Sequence, residues 1–244
     1  MDRPRILLVP NLTEIEWVNR DAIAEWAEVA SYDAPGVGDE PPADDFGSRA
    51  IGARGIEEMD RRGWQSCVVV ADEFGVAAAI HIAAIAPERL QAIALGHARL
   101  TNSAEGPRAA INSEVHSACR SLIQTDTGSF VRQMFRMTGG ERMEGGYQED
   151  MVAAYRQRVP PELLLPFWDE RPHEGDHIGE VLRELDVPVF LAEHKGCLLF
   201  TEEGFEDAAA ALPHARNASF ENKPSTSTEF AQALEAFCRE RIAA

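Results

Sequence analysis

Short runs of β-branched and other apolar residues alternate along most of this chain with longer segments of helical character. Such alternation is typical of a parallel sheet covered by helices, because a strand that is buried on both faces is apolar throughout. Strands are predicted at residues 5–10, 28–32, 66–70, 90–95, 187–193 and 218–221. Helices are predicted at residues 17–27, 48–62, 74–85, 177–185, 202–212 and 228–242. The sequence therefore predicts an α/β fold with a mostly parallel sheet flanked by helices.

The alternation stops between residues 101 and 176. This stretch is helical in character, contains no convincing strand and is interrupted by the glycine-rich segment 138–146. We therefore predict a core formed by residues 1–100 and 177–244, into which a helical cap of residues 101–176 is inserted.

The charge balance limits the possible partners. The chain has 41 acidic and 23 basic residues, which gives a formal net charge of −18. Nucleic-acid binding needs a basic surface that displaces counterions, and docking on anionic membranes needs clustered lysine and arginine. We expect neither partner, and we expect a small molecule as substrate or ligand. The sequence does not settle the oligomeric state, and a homodimer is compatible with it.

The cysteines and the N-terminal residues bear on localisation. Cys67, Cys119, Cys197 and Cys238 are widely spaced and form no CxxC pair, which is typical of reduced thiols. The first residues show no signal-peptide pattern, and the longest apolar stretch, 76–86, is too short to span a bilayer. These features predict a cytoplasmic protein.

The segment 68–90 reads VVVADEFGVAAAIHIAAIAPERL and carries the most informative motif. It resembles the nucleophile elbow of the α/β-hydrolases, in which a strand turns sharply into a helix around the pattern small-x-nucleophile-x-small. Small residues flank the nucleophile because the strained turn has no room for larger side chains. Ala71 and Gly75 are the small residues here, so the resemblance places Glu73 at the nucleophile position.

Other motifs extend the resemblance over the whole chain. Asn11 follows the first strand at the place of an oxyanion-hole loop, and the segment 32–38, YDAPGVG, is similar to the family's Asp-x-Pro-Gly-x-Gly loop. The segments 187–192 and 209–213 resemble its last strand and helix. The resemblance implies an α/β-hydrolase fold with a cap.

The catalytic triad of that family is not matched. The position equivalent to the triad acid is about Gly196, and the stretch 221–228, where the triad histidine normally lies, contains no histidine. With Glu73 at the elbow, all three triad positions differ. We therefore do not expect the usual Ser–His–Asp esterase mechanism.

The candidate catalytic residues are Glu73, His97 and His194. The two histidines follow predicted strands, and ligands of open α/β sheets bind at the carboxyl ends of strands. Related dehalogenases and epoxide hydrolases use an aspartate nucleophile with a histidine, without which an ester intermediate would not turn over. General acid/base work is therefore favoured for Glu73, either paired with a histidine or within a two-His-one-carboxylate metal site. Two loop histidines satisfied by backbone groups are the structural alternative.

Further candidates surround this site. Asn11, Leu12 and Phe74 are predicted to contact the substrate. Asp72 is expected to point away from the site, and Cys197 is interpreted as a packed thiol, with a displaced nucleophile as the alternative.

The segment 173–177, HEGDH, matches the zinc motif H-E-x-x-H. That motif needs both histidines on one helical face, and Pro172 and Gly175 are expected to break the helix. A loop leading into a helix capped by Asp176 is the interpretation. We predict no metal and no cofactor.

Two hypotheses for function remain. The first is an enzyme that uses Glu73 as general base or nucleophile on a small apolar carbonyl, lactone or epoxide compound. The second is a non-catalytic protein of the same fold that binds a ligand or a partner. A histidine nitrogen within hydrogen-bond reach of Glu73, beneath a cap that encloses a cavity, would favour the first. Glu73 held by an arginine, or lying in a cavity collapsed by cap side chains, would favour the second.

Overall fold

A computed structural model describes residues 3–11, 17–42, 47–100, 109–138, 145–170 and 174–242. Its sheet contains six strands in the order β2-β1-β3-β4-β5-β6, and every neighbouring pair is parallel. The strands are β1 (Arg5–Leu8), β2 (Glu28–Ser31), β3 (Cys67–Asp72), β4 (Leu90–Gly96), β5 (Val189–His194) and β6 (Arg216–Phe220). The predicted α/β class and parallel sheet are confirmed.

Ten α-helices are described. They are α1 (Arg20–Ala24), α2 (Ser48–Arg61), α3 (Val76–Ile85), α4 (Ala109–Thr125), α5 (Thr127–Met137), α6 (Gly145–Arg158), α7 (Pro161–Glu170), α8 (Glu174–Glu184), α9 (Glu202–Ala211) and α10 (Thr228–Arg241). Short 3₁₀ turns, Glu73–Gly75 and Pro87–Arg89, precede α3 and β4.

The sheet is buried on both faces because alternate residues of each central strand point to opposite sides. Leu7 and Val69 belong to one apolar cluster, which also includes residues of α2, α3 and α8. Ile6 and Val68 belong to the other cluster, which contains Phe230 and further residues of α10. The apolar composition of the central strands follows from this double burial.

The register of the central strands positions the candidate site. Asp72 pairs with Gly96, and Gly96 pairs with Ala192. The carboxyl ends of β3, β4 and β5 are therefore nearly level, and residues just beyond them share one edge of the sheet.

The described residues between 109 and 170 contain four helices, α4 to α7, joined by short connections. As predicted, no strand occurs among these described residues. The four helices pack on one another through buried aromatic and aliphatic side chains, including Phe130, Phe135, Phe167 and Trp168. The division of the chain into a core and a separate cap domain stays a prediction.

Several element boundaries differ from the sequence prediction. Strand β3 continues to Asp72, two residues beyond the predicted end, and α8 begins at Glu174 instead of 177. The prediction that Gly175 breaks the helix and that Asp176 caps it is therefore wrong, because both residues lie within the first turn of α8. His173 lies outside the described residues.

None of the described helices combines the length and the apolar character needed to cross a membrane.

Candidate active site

The chain turns sharply at the end of β3. Glu73 has a φ of 47°, the left-handed conformation that the elbow resemblance implies and that non-glycine residues rarely adopt. Two residues on, a Cβ added to Gly75 would lie 2.9 Å from the carbonyl oxygen of Pro10. The turn is therefore strained at Glu73, and it needs a glycine at position 75 because the backbone of the first strand's exit loop lies against it.

Glu73 forms a buried ion pair. Its Oε2 atom lies 3.1 Å from Nζ of Lys223, and Nδ2 of Asn11 donates to the same oxygen at 3.3 Å. The Glu73 and Lys223 side chains are only 0% and 3% exposed. Lys223, in the loop between β6 and α10, also donates to Oγ1 of Thr138 at the end of α5, at 3.3 Å. Because both side chains are buried and water does not solvate them, each charge is compensated by the other.

A second buried polar group lies beside the ion pair. Oδ1 of Asp72 is 2.7 Å from Nδ1 of His97, and Nε2 of His97 is 2.8 Å from Nδ1 of His194. The other oxygen of Asp72, Oδ2, accepts from the backbone N–H of Ser225 at 3.2 Å. The three side chains form one hydrogen-bonded chain along the ends of β3, β4 and β5.

A backbone N–H group determines which ring nitrogens of this hydrogen-bonded group carry protons. The backbone N–H of His194 donates to Nε2 of His97 at 3.1 Å, so this nitrogen carries a lone pair. The proton of neutral His97 is then on Nδ1, where Asp72 accepts it. His194 in turn donates from Nδ1, which leaves Nε2 of His194 with a lone pair. That nitrogen is buried and makes no hydrogen bond within the described part of the chain.

Burial and neighbouring groups shift the pKa values of two members of this hydrogen-bonded group, Asp72 and His194. Burial by itself would raise the pKa of Asp72, but its electrostatic interaction and hydrogen bond with His97 outweigh burial and hold the pKa below its ordinary value. Burial, assisted by His97, lowers the pKa of His194 to about 3. At neutral pH, Asp72 is therefore a carboxylate and His194 a neutral imidazole.

Cys197 lies next to this chain in the loop after β5. It is buried, and its Sγ accepts from the backbone N–H of Phe200 at 3.4 Å. Burial, with a contribution from the Glu73 charge, raises the pKa of the thiol to about 12. All four cysteines are free and buried. The low reactivity of such a thiol agrees with its interpretation as a packed residue.

The structure brings together most of the residues that the sequence singled out. Asn11 contacts Glu73, and His97 contacts His194. Phe74 is buried, and its ring packs near those of Phe167, Trp168 and Phe200. Leu12 lies outside the described residues.

The expected Glu73–histidine pair is not formed through the ring nitrogens. Those of His97 are engaged by Asp72 and His194, and Nδ1 of His194 is engaged by His97. The level strand ends explain this, because they turn the two histidines toward each other and toward the end of β3. The catalytic roles of Glu73, His97 and His194 remain predictions.

Two residues of the site were missed or misplaced by sequence reasoning. The expectation that Asp72 points away is wrong, because its side chain is the acceptor for His97. Lys223 was not a candidate, although it occupies the stretch where the triad histidine was sought. A cation in that stretch, opposite a carboxylate at the elbow, is the signal that could have identified it.

Comparison with solved structures identifies the fold of this chain. An esterase from Thermogutta terrifontis aligns at a TM-score of 0.78 and 17% identity, over 98% of this chain and 90% of that one. A bromoperoxidase from Bacillus anthracis aligns at a TM-score of 0.81 and 16% identity, over 98% of this chain and 92% of that one. An enol-lactonase from Burkholderia xenovorans aligns at a TM-score of 0.69 and 17% identity, over 98% of this chain and 92% of that one.

The chain has the α/β-hydrolase fold. No family sequence model and no curated protein matches it. In the α/β-hydrolase fold the elbow carries the nucleophile, and the loop after the last strand carries the histidine that activates it. In this chain Glu73 is at the elbow and Lys223 is in that loop. The side chains of these two residues are in contact, at 3.1 Å.

Proposed function

We propose that this chain is an enzyme that catalyses a general-base reaction at the carbonyl group of a small, largely apolar compound. Glu73 is the base, and the ammonium group of Lys223 stabilises the negative charge that develops on the carbonyl oxygen. The 3.1 Å contact between Glu73 and Lys223 at the elbow is the observation that carries the proposal. The fold shared with esterases and lactonases supports a carbonyl-bearing substrate, lactones included.

The proposed mechanism uses two charges that the fold already holds side by side. The carboxylate takes a proton from a water molecule that attacks the carbonyl, or from the carbon next to it. Electrons move onto the carbonyl oxygen, and the ammonium group of Lys223 and the amide of Asn11 stabilise the resulting oxyanion. Both donors already point at the Glu73 carboxylate, so they lie within reach of an oxygen bound beside it.

A covalent mechanism receives less support. An ester formed on Glu73 would need a positioned base to activate water, and His97 is engaged at both ring nitrogens. The general-base route needs no such intermediate. Phe74 and the aromatic side chains packed on it make the surroundings of the turn apolar, which fits a largely apolar substrate.

The second candidate function is ligand binding without catalysis. It is favoured by the same ion pair, because a carboxylate neutralised by an ammonium group is a weaker base than one held by neutral donors. An arginine that holds Glu73 was expected to favour the binding function. Lys223 is not an arginine, but it holds Glu73 as such a cation would. Unlike arginine, lysine changes its protonation readily when buried and also serves in catalysis.

The test is a panel of esters, lactones and ketones offered to the purified chain and to Glu73→Gln, Lys223→Met and Asn11→Ala. Hydrolysis is followed by acid release, and proton abstraction by deuterium uptake in D₂O observed by NMR. We expect turnover by the parent chain, loss of about 10²-fold or more in Glu73→Gln, and a smaller loss in Asn11→Ala.

Ligand binding, measured by thermal shift on the same panel, separates the two functions. Compounds that stabilise the parent chain and Glu73→Gln equally, without turnover by either, would establish the binding function and reject the enzyme. Exposed Lys195→Met is the matched control, because Lys195 pairs with Glu221 at the surface and should leave turnover unchanged.

A further inference from the structure

Three potential metal ligands converge beside the proposed active site. His97, His194 and Cys197 are all buried, and one donor atom of each lies within 4.8 Å of the other two. Imidazole nitrogen and thiolate sulfur are the donors that Zn²⁺ prefers in proteins, and ligand atoms around a tetrahedral ion lie about 3–4 Å apart. His97 Nε2 and His194 Nδ1 are 2.8 Å apart and would separate slightly as an ion enters between them, whereas the whole set already lies within 4.8 Å.

The backbone holds two of these ligands rigidly. His97 has a φ of 57°, and its backbone N–H donates to the carbonyl oxygen of Ala192 at 2.7 Å. Gly96 makes room for this arrangement, because a Cβ there would lie 2.3 Å from Oδ1 of Asp72. His194 is the last residue of β5. Ligands fixed at strand ends lose little conformational entropy when an ion binds.

Two of the three ligands, His97 and Cys197, also have an outer partner of the type found in metal sites. Asp72 accepts the Nδ1 proton of His97, which leaves Nε2 directed toward the other two ligands. This is the carboxylate–histidine arrangement that orients metal-bound imidazoles. The backbone N–H of Phe200 donates to Sγ of Cys197, and such bonds stabilise a thiolate.

The charges of the buried group also match a divalent cation. The Asp72 carboxylate lies beside the ligands through its contact with His97, and Glu73 and Lys223 form an ion pair nearby. A divalent ion would be attracted by the Asp72 carboxylate and by a thiolate at Cys197, in a region where burial strengthens such interactions.

We propose that His97 Nε2, His194 Nδ1 and Cys197 Sγ bind a thiophilic divalent cation, with Zn²⁺ as the best match. A cavity of about 40 Å³, large enough for one water molecule, is lined by His97 and Phe200. The site is distinct from the Glu73–Lys223 pair, and it departs from the sequence prediction of no metal.

The protons of the binding step balance as follows. The ion replaces the hydrogen bonds that join His194 to Nε2 of His97. The His194 proton moves from Nδ1 to Nε2, the nitrogen that has no partner in the described part of the metal-free chain. The thiol of Cys197 becomes a thiolate, so each bound ion releases one proton to solvent.

The experiment is a titration of the full, chelator-treated chain with Co²⁺, a spectroscopic substitute for Zn²⁺. We expect one ion per chain, an intense tetrahedral spectrum with a thiolate-to-cobalt charge-transfer band, and release of one proton per ion. Zn²⁺ should then displace the cobalt. Cys197→Ser should lose the charge-transfer band, whereas Cys238→Ser, which changes a buried thiol in the apolar cluster that contains α10, should keep it.

Asp72→Asn adds a graded test, because loss of an outer partner lowers metal affinity by about 10–100-fold. Circular dichroism of each variant shows that it is folded, and Cys197→Ala provides a second variant should the serine fail to fold. Cobalt bound without a thiolate band, or bound equally by the parent chain and a folded Cys197 variant, would assign the ion to surface carboxylates and overturn the proposal. No binding at micromolar cobalt would overturn it as well. None of these readouts depends on turnover.

Discussion

Asp72 and Glu73 are adjacent carboxylates, yet they belong to two different buried groups. Asp72 ends β3 and extends across the strand ends to His97, whereas Glu73 begins the turn and meets Lys223 and Asn11. The left-handed backbone at Glu73 separates the two directions. One group is an ion pair held by opposite charge, and the other is a chain held by directional hydrogen bonds.

The difference determines how each group should respond to change. An ion pair that loses one partner leaves a buried charge uncompensated, and that cost is large whatever the geometry. A hydrogen-bonded chain that loses a member loses orientation and one or two bonds, which costs less. Four predictions, in order of decreasing expected effect, test this contrast.

Lys223→Met should give the largest effect. It leaves the Glu73 carboxylate buried without its cation, and we expect a loss of about 3–5 kcal/mol in the free energy of unfolding. Urea denaturation at pH 7 measures it. The double variant Glu73→Gln/Lys223→Met should regain most of the loss, and exposed Lys195→Met should change stability by less than about 1 kcal/mol. Equal effects of Lys223→Met and Lys195→Met would refute the buried ion pair.

Asp72→Asn should cost about 2–3 kcal/mol at pH 7, because charge-assisted bonds to His97 and to the Ser225 backbone are weakened. The folded pKa of Asp72 lies below its ordinary value of 3.8. Its contribution is therefore present above that pH and is lost as the pH falls through the folded pKa. Denaturation at several pH values should show the parent and variant converging below pH 4. A constant difference down to pH 2 would contradict the assignment.

His194→Asn should matter mainly at acid pH. Burial lowers the folded pKa of His194 to about 3 from 6.5, so the unfolded chain binds this proton first and folding stability declines as pH falls below 6.5. The variant removes that decline, and at pH 5 we expect it to offset about 2 kcal/mol of whatever the substitution costs at pH 8. Thermal unfolding from pH 8 to pH 4 measures the change of slope. Parallel curves for parent and variant would show that His194 titrates normally.

Thr138→Val should have the smallest effect. It removes the hydroxyl that accepts from Lys223 and donates to the Met134 carbonyl, and it keeps the shape of the side chain. We expect a loss of about 1 kcal/mol, since the ammonium group keeps its contact with Glu73. A loss as large as that of Lys223→Met would mean that Thr138, and not Glu73, is the main partner of the lysine.

Much of the fold and part of the site could be predicted from the sequence. The apolar composition of the strands identified the parallel sheet, because a strand buried on both faces has few alternatives. The small residues around Glu73 identified the turn, and Gly75 is needed there because the Pro10 carbonyl leaves no room for a Cβ. These are local properties, set by a residue and its immediate surroundings. The end of β3 was placed too early because acidic residues rarely continue a strand, and here His97 compensates Asp72.

By itself, therefore, the sequence determined the sheet, the position of the elbow and the absence of a triad histidine after the last strand. Only the tertiary structure decided that Lys223 is the partner of Glu73, that Asp72 extends toward His97, and that His97 and His194 face each other. The reason is that strand alternation fixes the direction of a side chain only within a strand. Beyond the strand ends, the partner of each polar group depends on the paths of loops that are far apart in sequence and are brought together by the register of the sheet.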